Sequence, residues 1–507
     1  MSALARFVDG LNPVLVKEVR ASLRGRVFRV LFSIVALGSV AIASILLADL
    51  ASRSDDAYLG RQFFGAMYLC LCVAVLGFVP ILAFLSMGSE WDEHTYELLE
   101  ISNLKPRQIV LGKLWTAAIE TMLYTSVFAP LLVFAFLLRG VDIVNALVVL
   151  SWAVLGSLSA SALALAMSSL SRIRALRVVL LAIVAGGCVG LVALMWNLGE
   201  EVAFSSWRSG RLNPDLLTGT YATIVGFGLV GVVVAVERVT HAEENHSTAP
   251  RGFVTVALMV AQAWILYLAS TGKMTREDLA VAVITQISGL ALFHVCFCTE
   301  RETLPRRVRS DVSANRWLAL LSTPFLPGGG RALLHFLGSC ALVFAGQWSA
   351  RSLIPLSSSG WFRAFGEEPI RQVTFAGYLW ILLAGISWIA VRWTNPRDGG
   401  SAAANWTLRR WVTRAAIPIA FVATLIGPPM IAFLAGHSFQ TSDRLGMVNP
   451  IWTMDEGGMS TRAHGRSAAV FVVVVLVLAL NGGRLVRGVR EVWSASAERR
   501  AREGARP

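Results

Sequence analysis

The chain alternates between long apolar stretches and short polar segments from residue 27 to residue 483. Each apolar stretch holds about 17 to 24 residues, the length that an α-helix needs to cross roughly 30 Å of hydrocarbon. The pattern therefore predicts an all-α membrane protein with about twelve transmembrane helices. The predicted spans are 27–49, 64–87, 116–138, 146–168, 178–197, 218–236, 253–270, 279–298, 334–350, 373–391, 415–436 and 467–483.

Residues 88–115 form a polar segment between the second and third predicted spans, and this segment is too charged to enter lipid. It begins with acidic residues, breaks at Pro106 and continues with basic residues. The order predicts two short amphipathic helices that lie on the membrane surface and offer a face to another protein. The apolar residues expected on one side of each helix are Leu98, Leu99, Ile101 and Leu104 in the first, and Ile109, Leu111 and Leu114 in the second.

Composition supports the membrane assignment, because 55% of the residues are hydrophobic and only 15% are charged. Soluble domains of this size do not have that balance. The formal net charge of +13 is typical of nucleic-acid-binding proteins as well. Here the basic residues adjoin the predicted spans, where they face anionic lipid. We therefore expect membrane lipids, and no nucleic acid, as partners of this charge.

Loop charge predicts the orientation of the helices, because Lys and Arg are retained on the cytoplasmic side. With the amino terminus inside, the inner segments hold 32 of the 45 Lys and Arg residues and the outer loops hold 13. Both termini are therefore expected in the cytoplasm. The first apolar run follows a basic segment without a small-residue cleavage site, so we expect it to remain as an anchor.

The polar segment resembles the cytoplasmic docking loop of type-2 ABC exporter permeases, the membrane subunits that pair with a separate ATPase. In both, an acidic Glu/Thr/Glu-Leu-Leu part precedes a Ser…Leu…Pro-Arg-Gln-Ile-Val-Leu-Gly-Lys part. The residues from Asn12 to Glu18 are similar to the amphipathic amino-terminal helix of that family. The resemblance implies ATPase-docking residues Glu93, Thr95, Glu97, Leu98, Leu99, Ile101, Leu104, Pro106, Arg107, Gln108 and Lys113, and amino-terminal helix residues Asn12, Pro13, Lys17 and Glu18.

The resemblance implies a permease subunit of an ABC transporter, of the exporter type, in a bacterial-type cytoplasmic (inner) membrane. The chain would form the translocation pathway and couple to an ABC ATPase subunit. Its Gly-Lys pairs, at Gly112 and Gly272, lack the other residues of a nucleotide-binding loop. We therefore expect no enzymatic activity and no cofactor in this chain, with ATP-Mg bound by the partner.

Two other functions remain open at this stage. A membrane scaffold or assembly factor would keep the docking loop and transport nothing. A secondary transporter would need ionisable groups near mid-membrane. Glu120 is one such group, and we expect its side chain either to extend to the membrane surface or to pair with Lys113 or Lys17. Because the predicted spans contain few others, a secondary transporter is the weaker alternative.

The polar segments divide the chain into five parts. They are the amphipathic amino-terminal helix 1–26, a six-span permease unit 27–240 with its docking loop 88–115, a linker 241–252, a second six-span bundle 253–486 and a basic cytoplasmic tail 487–507. The inner loop 299–333 weakly repeats the acidic-Thr-apolar order of the docking loop. If the second bundle is a diverged repeat, the chain is a pseudo-dimer; if it is an unrelated bundle, a homodimer is expected.

Cysteine and histidine residues do not predict a metal site or disulfides. All six cysteines fall within predicted spans. His294, Cys296 and Cys298 alternate along one helix, where positions two residues apart point in different directions. Segments 199–219 and 436–466 are expected to be outer loops, either re-entrant or ordinary interfacial loops with Trp anchors.

Overall fold

In the computed structural model, the described residues are 13–51, 59–92, 106–138, 141–170, 174–209, 214–239, 245, 247–295, 297–300, 302–354, 369–394, 461–504 and shorter stretches between 412 and 424. Within these ranges every regular element is a helix and no strand occurs. The chain divides into two compact units, Met1–Thr240 and His241–Pro507. We describe each unit by itself.

The first unit contains eight α-helices and one π-helical segment among its described residues. They are α1 (Pro13–Arg24), α2 (Arg26–Ala51), α3 (Leu59–Cys72), the π-helical segment Val73–Phe78, α4 (Val79–Asp92), α5 (Pro106–Leu137), α6 (Ile143–Ser168), α7 (Arg174–Ser209) and α8 (Pro214–Val239).

Among its described residues, apart from the short stretches between 412 and 424, the second unit contains seven α-helices and one short 3₁₀ turn. They are α9 (Thr248–Ser270), α10 (Arg276–Val295), α11 (Arg306–Asp311), α12 (Arg316–Ser322), the 3₁₀ turn Thr323–Phe325, α13 (Gly329–Leu353), α14 (Pro369–Thr394) and α15 (Thr461–Gly504).

Eleven helices in the described part of the chain are long and apolar enough to cross a membrane. They confirm the prediction of an all-helical, multi-pass membrane protein. The ninth predicted span, 334–350, lies within α13, where the polar Gln347 is buried and hydrogen-bonded to Gln372. The predicted span 415–436 lies mostly outside the described residues, and each of the other eleven predicted spans has a matching helix in the described part of the chain.

Helix α6 lies at the centre of the first unit, where it packs against α4, α5, α7 and α8. Its contact with α8 is close because Gly228 and Gly231 face Ser159 and Ala162. A Cβ atom on Gly231 would lie 2.7 Å from the backbone carbonyl carbon of Ala162. In lipid there is no hydrophobic driving force between helices. Helices associate instead through close backbone packing, which small residues allow.

Two helices of the first unit extend beyond their predicted spans. Helix α5 begins at Pro106, so the second predicted amphipathic helix of the docking loop is the first part of the third span and not a separate element. Helix α7 continues to Ser209, so residues 199–209 of the predicted outer loop 199–219 are helical. Hydropathy detects only the apolar window of a helix, and a helix continues past it wherever polar residues retain backbone hydrogen bonds.

The second unit shows the same extension at both of its ends. Helix α15 is continuous to Gly504, so most of the predicted tail 487–507 is helical. Helix α9 begins at Thr248, inside the predicted linker 241–252, and Ser247 and Arg251 are buried. The sequence predicts a linker here because the hydrogen-bonding partners of these polar residues lie about 50 or more residues away in the chain.

Candidate functional site

Helix α1 lies against the first turns of α5, beside the two ends of the docking loop. Its Lys17, Arg20 and Arg24 are exposed, whereas Val19 and Leu23 are half-buried. This spacing puts one apolar side toward the unit and one basic side outward. Gly25 separates α1 from α2. The helix is therefore attached to the bundle along its length and remains outside it.

A single buried cation connects the three elements around the docking loop. Lys113 of α5 is 2% exposed, and its Nζ lies 3.2 Å from Glu18 Oε1 of α1 and 3.1 Å from Glu90 Oε1 of α4. The same Nζ donates to the carbonyl oxygen of Ser86, 3.1 Å away. An ammonium group has three donors, and these three acceptors match that number.

Lys17 completes the cluster at its exposed edge. Its Nζ lies 3.8 Å from Glu90 Oε1 and 4.0 Å from Glu18 Oε1, and its side chain is 60% exposed. The two lysines and two glutamates balance in charge. We call Lys17, Glu18, Glu90 and Lys113 the inner-end cluster, after the cytoplasmic side on which the sequence predicts this end of the helices. A buried charge is stable only when it is paired. Lys113 therefore requires both carboxylates to remain next to it.

Contacts between α1, α2 and α5 continue along the bundle beyond the inner-end cluster. The Ser22 hydroxyl donates to Glu120, seven residues and about two turns after Lys113. Further along, Tyr124 contacts the rings of Phe28 and Phe32, with centroids 5.9 and 5.6 Å apart. The predicted partner of Glu120, Lys113 or Lys17, is thus replaced by Ser22 in the structure.

The structure describes only part of the predicted docking loop. Pro106 opens α5, where its fixed φ and missing N–H suit the first position of a helix. Arg107 and Gln108 are exposed on the first turn. The predicted residues outside the described part are Asn12, Glu93, Thr95, Glu97, Leu98, Leu99, Ile101 and Leu104.

Two expectations for the basic part of the loop are corrected. Lys113, expected to contact a partner, is buried within the unit and joins its helices. Ile109 is buried, but Leu111 is 40% exposed, so Ile109, Leu111 and Leu114 do not share one side. The buried side is formed by Ile109, Val110, Lys113, Thr116, Ala117 and Glu120.

In the second unit, Arg251 connects several segments at one end of the helix bundle. This fully buried side chain donates to Pro324 O at 3.0 Å and Leu326 O at 2.6 Å, and it pairs with Glu300 at 3.1 Å. Glu300 also accepts from Ser247 Oγ and from the backbone N–H of Gly328. The start of α9 is therefore fixed to the segment that leads into α13.

Two further arginines attach α15 to the same region. Arg331 pairs with Glu491 at 3.2 Å and donates to the carbonyl oxygen of Glu302 at 2.6 Å. Arg484 pairs with the carboxylate of Glu302 at 2.7 Å. We call Arg251, Arg331, Arg484, Glu300, Glu302 and Glu491 the arginine cluster. Its members come from four segments, and the sequence analysis identified none of them as a site.

Two histidines lie beside the arginine cluster. His294 Nε2 is 2.9 Å from His335 Nδ1, and His335 Nε2 is 2.9 Å from Thr255 Oγ1 and 3.1 Å from the carbonyl oxygen of Arg251. The partner of His294 is thus on another helix, whereas the sequence drew attention to its neighbours Cys296 and Cys298. Among the described residues, no group of three His, Cys, Asp or Glu side chains is arranged to hold a metal ion.

No protein-family model, no curated protein and no solved structure matches this chain. The resemblance of the docking loop to type-2 ABC exporter permeases therefore rests on its own residues. The inner-end cluster joins residues that lie directly before and after that loop in the chain.

Proposed function

We propose that this chain is the permease subunit of an ABC transporter, of the exporter type, and that a separate ATPase subunit drives it. The observation that supports the proposal best is the inner-end cluster. Lys113 lies after the docking loop, Glu90 lies before it, and Glu18 belongs to the amphipathic helix beside it. An ATPase that displaces the loop would therefore move α1, α4 and α5 together.

The loop itself supplies the contact with the ATPase in this proposal. Its apolar residues Leu98, Leu99, Ile101 and Leu104 would insert into a groove on the ATPase, as amphipathic helices do in other helix-in-groove complexes. Glu93, Glu97 and Arg107 would form ion pairs at the edge of that groove. ATP binding would close the ATPase and move the helices as a rigid body, which changes the access to the pathway.

Reconstitution with the ATPase that co-purifies with this chain tests the proposal. Replacing Leu98 and Leu99 by Asp places two charges in the apolar contact. We expect the stimulated ATPase rate and transport to fall to background, while the protein still inserts into vesicles and elutes as a single species. The matched control replaces both residues by Met, which keeps the apolar volume and should keep most of the stimulation.

The result also separates the proposal from a membrane scaffold or assembly factor. A scaffold would bind the ATPase through the same loop, but neither ATP hydrolysis nor substrate movement would depend on that binding. Co-purification with an ATPase rate that the Asp variant leaves unchanged would contradict the permease assignment and favour the scaffold.

A further inference from the structure

The polar end of α15 forms a three-helix extension with α11 and α12. Its apolar core is made of Leu304, Val308, Val312, Ala319, Leu326, Val492 and Ala495. Backbone carbonyls between α11 and α12 accept hydrogen bonds from Ser496, Arg499 and Arg500. Because α15 continues for twenty residues beyond Arg484, it extends about 30 Å past that residue.

Helix α12 presents its apolar side away from this core. Ala319 faces inward and is 1% exposed. Trp317 is 79% exposed, Leu321 73% and Leu318 54%. Single exposed apolar residues are normal on proteins, but a continuous group with a Trp indicates a contact surface. We call Trp317, Leu318 and Leu321 the α12 ridge.

The position of α12 relates the α12 ridge to the membrane. The helix ends at Ser322, and the spanning helix α13 begins at Gly329. Arg251, in the first turn of the spanning helix α9, holds the carbonyls of Pro324 and Leu326 between them. Seven helical residues measure about 10 Å. The ridge therefore lies about 10 Å from the ends of two spans, close to the membrane surface, where interfacial helices lie.

The charge around the α12 ridge is positive. Segments 302–326 and 484–504 contain ten arginines and five acidic residues, a net charge of +5. Arg306, Arg307 and Arg316 are exposed. Arg316 precedes the ridge directly in the chain, and its guanidinium carbon lies 5.1 Å from the centroid of the Trp493 ring. Of the acidic residues, Glu302, Glu491, Glu498 and Glu503 are paired with arginines. Basic residues at a membrane surface attract anionic lipid headgroups.

We propose that α12 is an interfacial helix that binds anionic phospholipid. The α12 ridge lies at the boundary between headgroups and acyl chains, where Trp is the preferred aromatic anchor. Arg306, Arg307 and Arg316 bind the lipid phosphates. The chain enters the membrane directly after this helix, so the surface that α12 covers is continuous with the lipid contact of α13.

Site-specific fluorescence in lipid vesicles tests this inference. The full chain, with its six native cysteines replaced by alanine, carries an environment-sensitive label at Trp317→Cys or Leu321→Cys. The control label is at Glu503→Cys, in the last turn of α15. We expect lipids brominated on the upper acyl chain to quench the labels at positions 317 and 321 several-fold more than the label at 503.

Vesicle composition tests the anionic preference. Raising phosphatidylglycerol in phosphatidylcholine vesicles should increase the quenching at position 317. Replacing Arg306, Arg307 and Arg316 by Gln should remove this increase. Equal quenching at 317 and 503 would overturn the inference. The inference would also be overturned if neither brominated lipid nor aqueous iodide quenched the label at 317. A protein partner or a second copy would then cover the ridge. No response to phosphatidylglycerol would overturn the anionic part.

Discussion

The inner-end cluster of the first unit and the arginine cluster of the second unit have the same structural role but use different side chains. Each holds the polar ends of several helices together with buried charges. The first uses one buried cation, Lys113, which contacts two carboxylates and a single backbone carbonyl, that of Ser86. The second uses three arginines, and each of them donates to at least one backbone carbonyl as well as to a carboxylate.

The difference follows from the chemistry of the two side chains. A lysine ammonium is a compact charge on a flexible stem, whereas a guanidinium offers five donors in a rigid plane. Arg251 and Arg331 therefore fix the path of the backbone at several points. Lys113 mainly keeps α1, α4 and the first turns of α5 next to one another. In the second unit these bonds hold the loop in place, while in the proposed transport cycle the ends that Lys113 joins would move as one body.

Replacing Arg251 by Met gives the largest expected effect. Glu300 would remain buried without its cation, and the carbonyls of Pro324 and Leu326 would lose a donor. Breaking a buried ion pair on one side costs about 3–5 kcal/mol. We expect the free energy of unfolding to fall by that amount, measured by denaturant titration of the purified protein in detergent.

The matched control for this prediction is Arg487→Met. Arg487 is exposed on α15 and donates to the carbonyl oxygen of Gly483 four residues earlier. Surface substitutions of this kind usually change stability by no more than about 0.5 kcal/mol. Equal losses for the two variants would contradict the structural role of Arg251.

Replacing Lys113 by Met should have a smaller effect on stability, about 3 kcal/mol, because Lys17 remains 3.8 Å from Glu90 and 4.0 Å from Glu18. The two carboxylates would then face each other without the buried cation. Adding Glu90→Gln removes one of these charges and should restore more than half of the lost stability. The same denaturant titration measures both variants.

Lys17→Ala provides the control within the inner-end cluster. Its side chain is 60% exposed and lies at least 3.8 Å from the carboxylates. Exposed pairs contribute about 0–1 kcal/mol. If Lys17→Ala destabilises the protein as much as Lys113→Met, or if Glu90→Gln gives no recovery, the inner-end cluster does not work as described.

Hydropathy predicts most of the fold because lipid imposes a fixed length on every span. It does not show where helices continue into polar sequence, and α5 and α15 are the clearest cases. In α5 the basic turns after Pro106 and the apolar span are one helix. In α15 the arginines after Arg484 remain helical because they pack on α11 and α12.

The buried ion pairs could not be predicted from the sequence. Glu18, Glu90 and Lys113 are far apart in the chain, and each one alone is typical of a cytoplasmic loop. Only the close packing of α1, α4 and α5 makes them neighbours. The same holds for Arg251 and Glu300, of which the first was assigned to a linker. A local pattern identifies a polar segment, but it does not distinguish a solvated charge from a paired one.

The accessibility of a cysteine at position 98 tests the central claim most directly. The claim is that the segment between Glu90 and Lys113 lies on the cytoplasmic side and contacts a separate ATPase. With Leu98→Cys, a membrane-impermeant thiol reagent should label the protein in inside-out vesicles but not in right-side-out vesicles. Bound ATPase should protect the thiol. Labelling from the outside, or labelling that the ATPase leaves unchanged, would contradict the account.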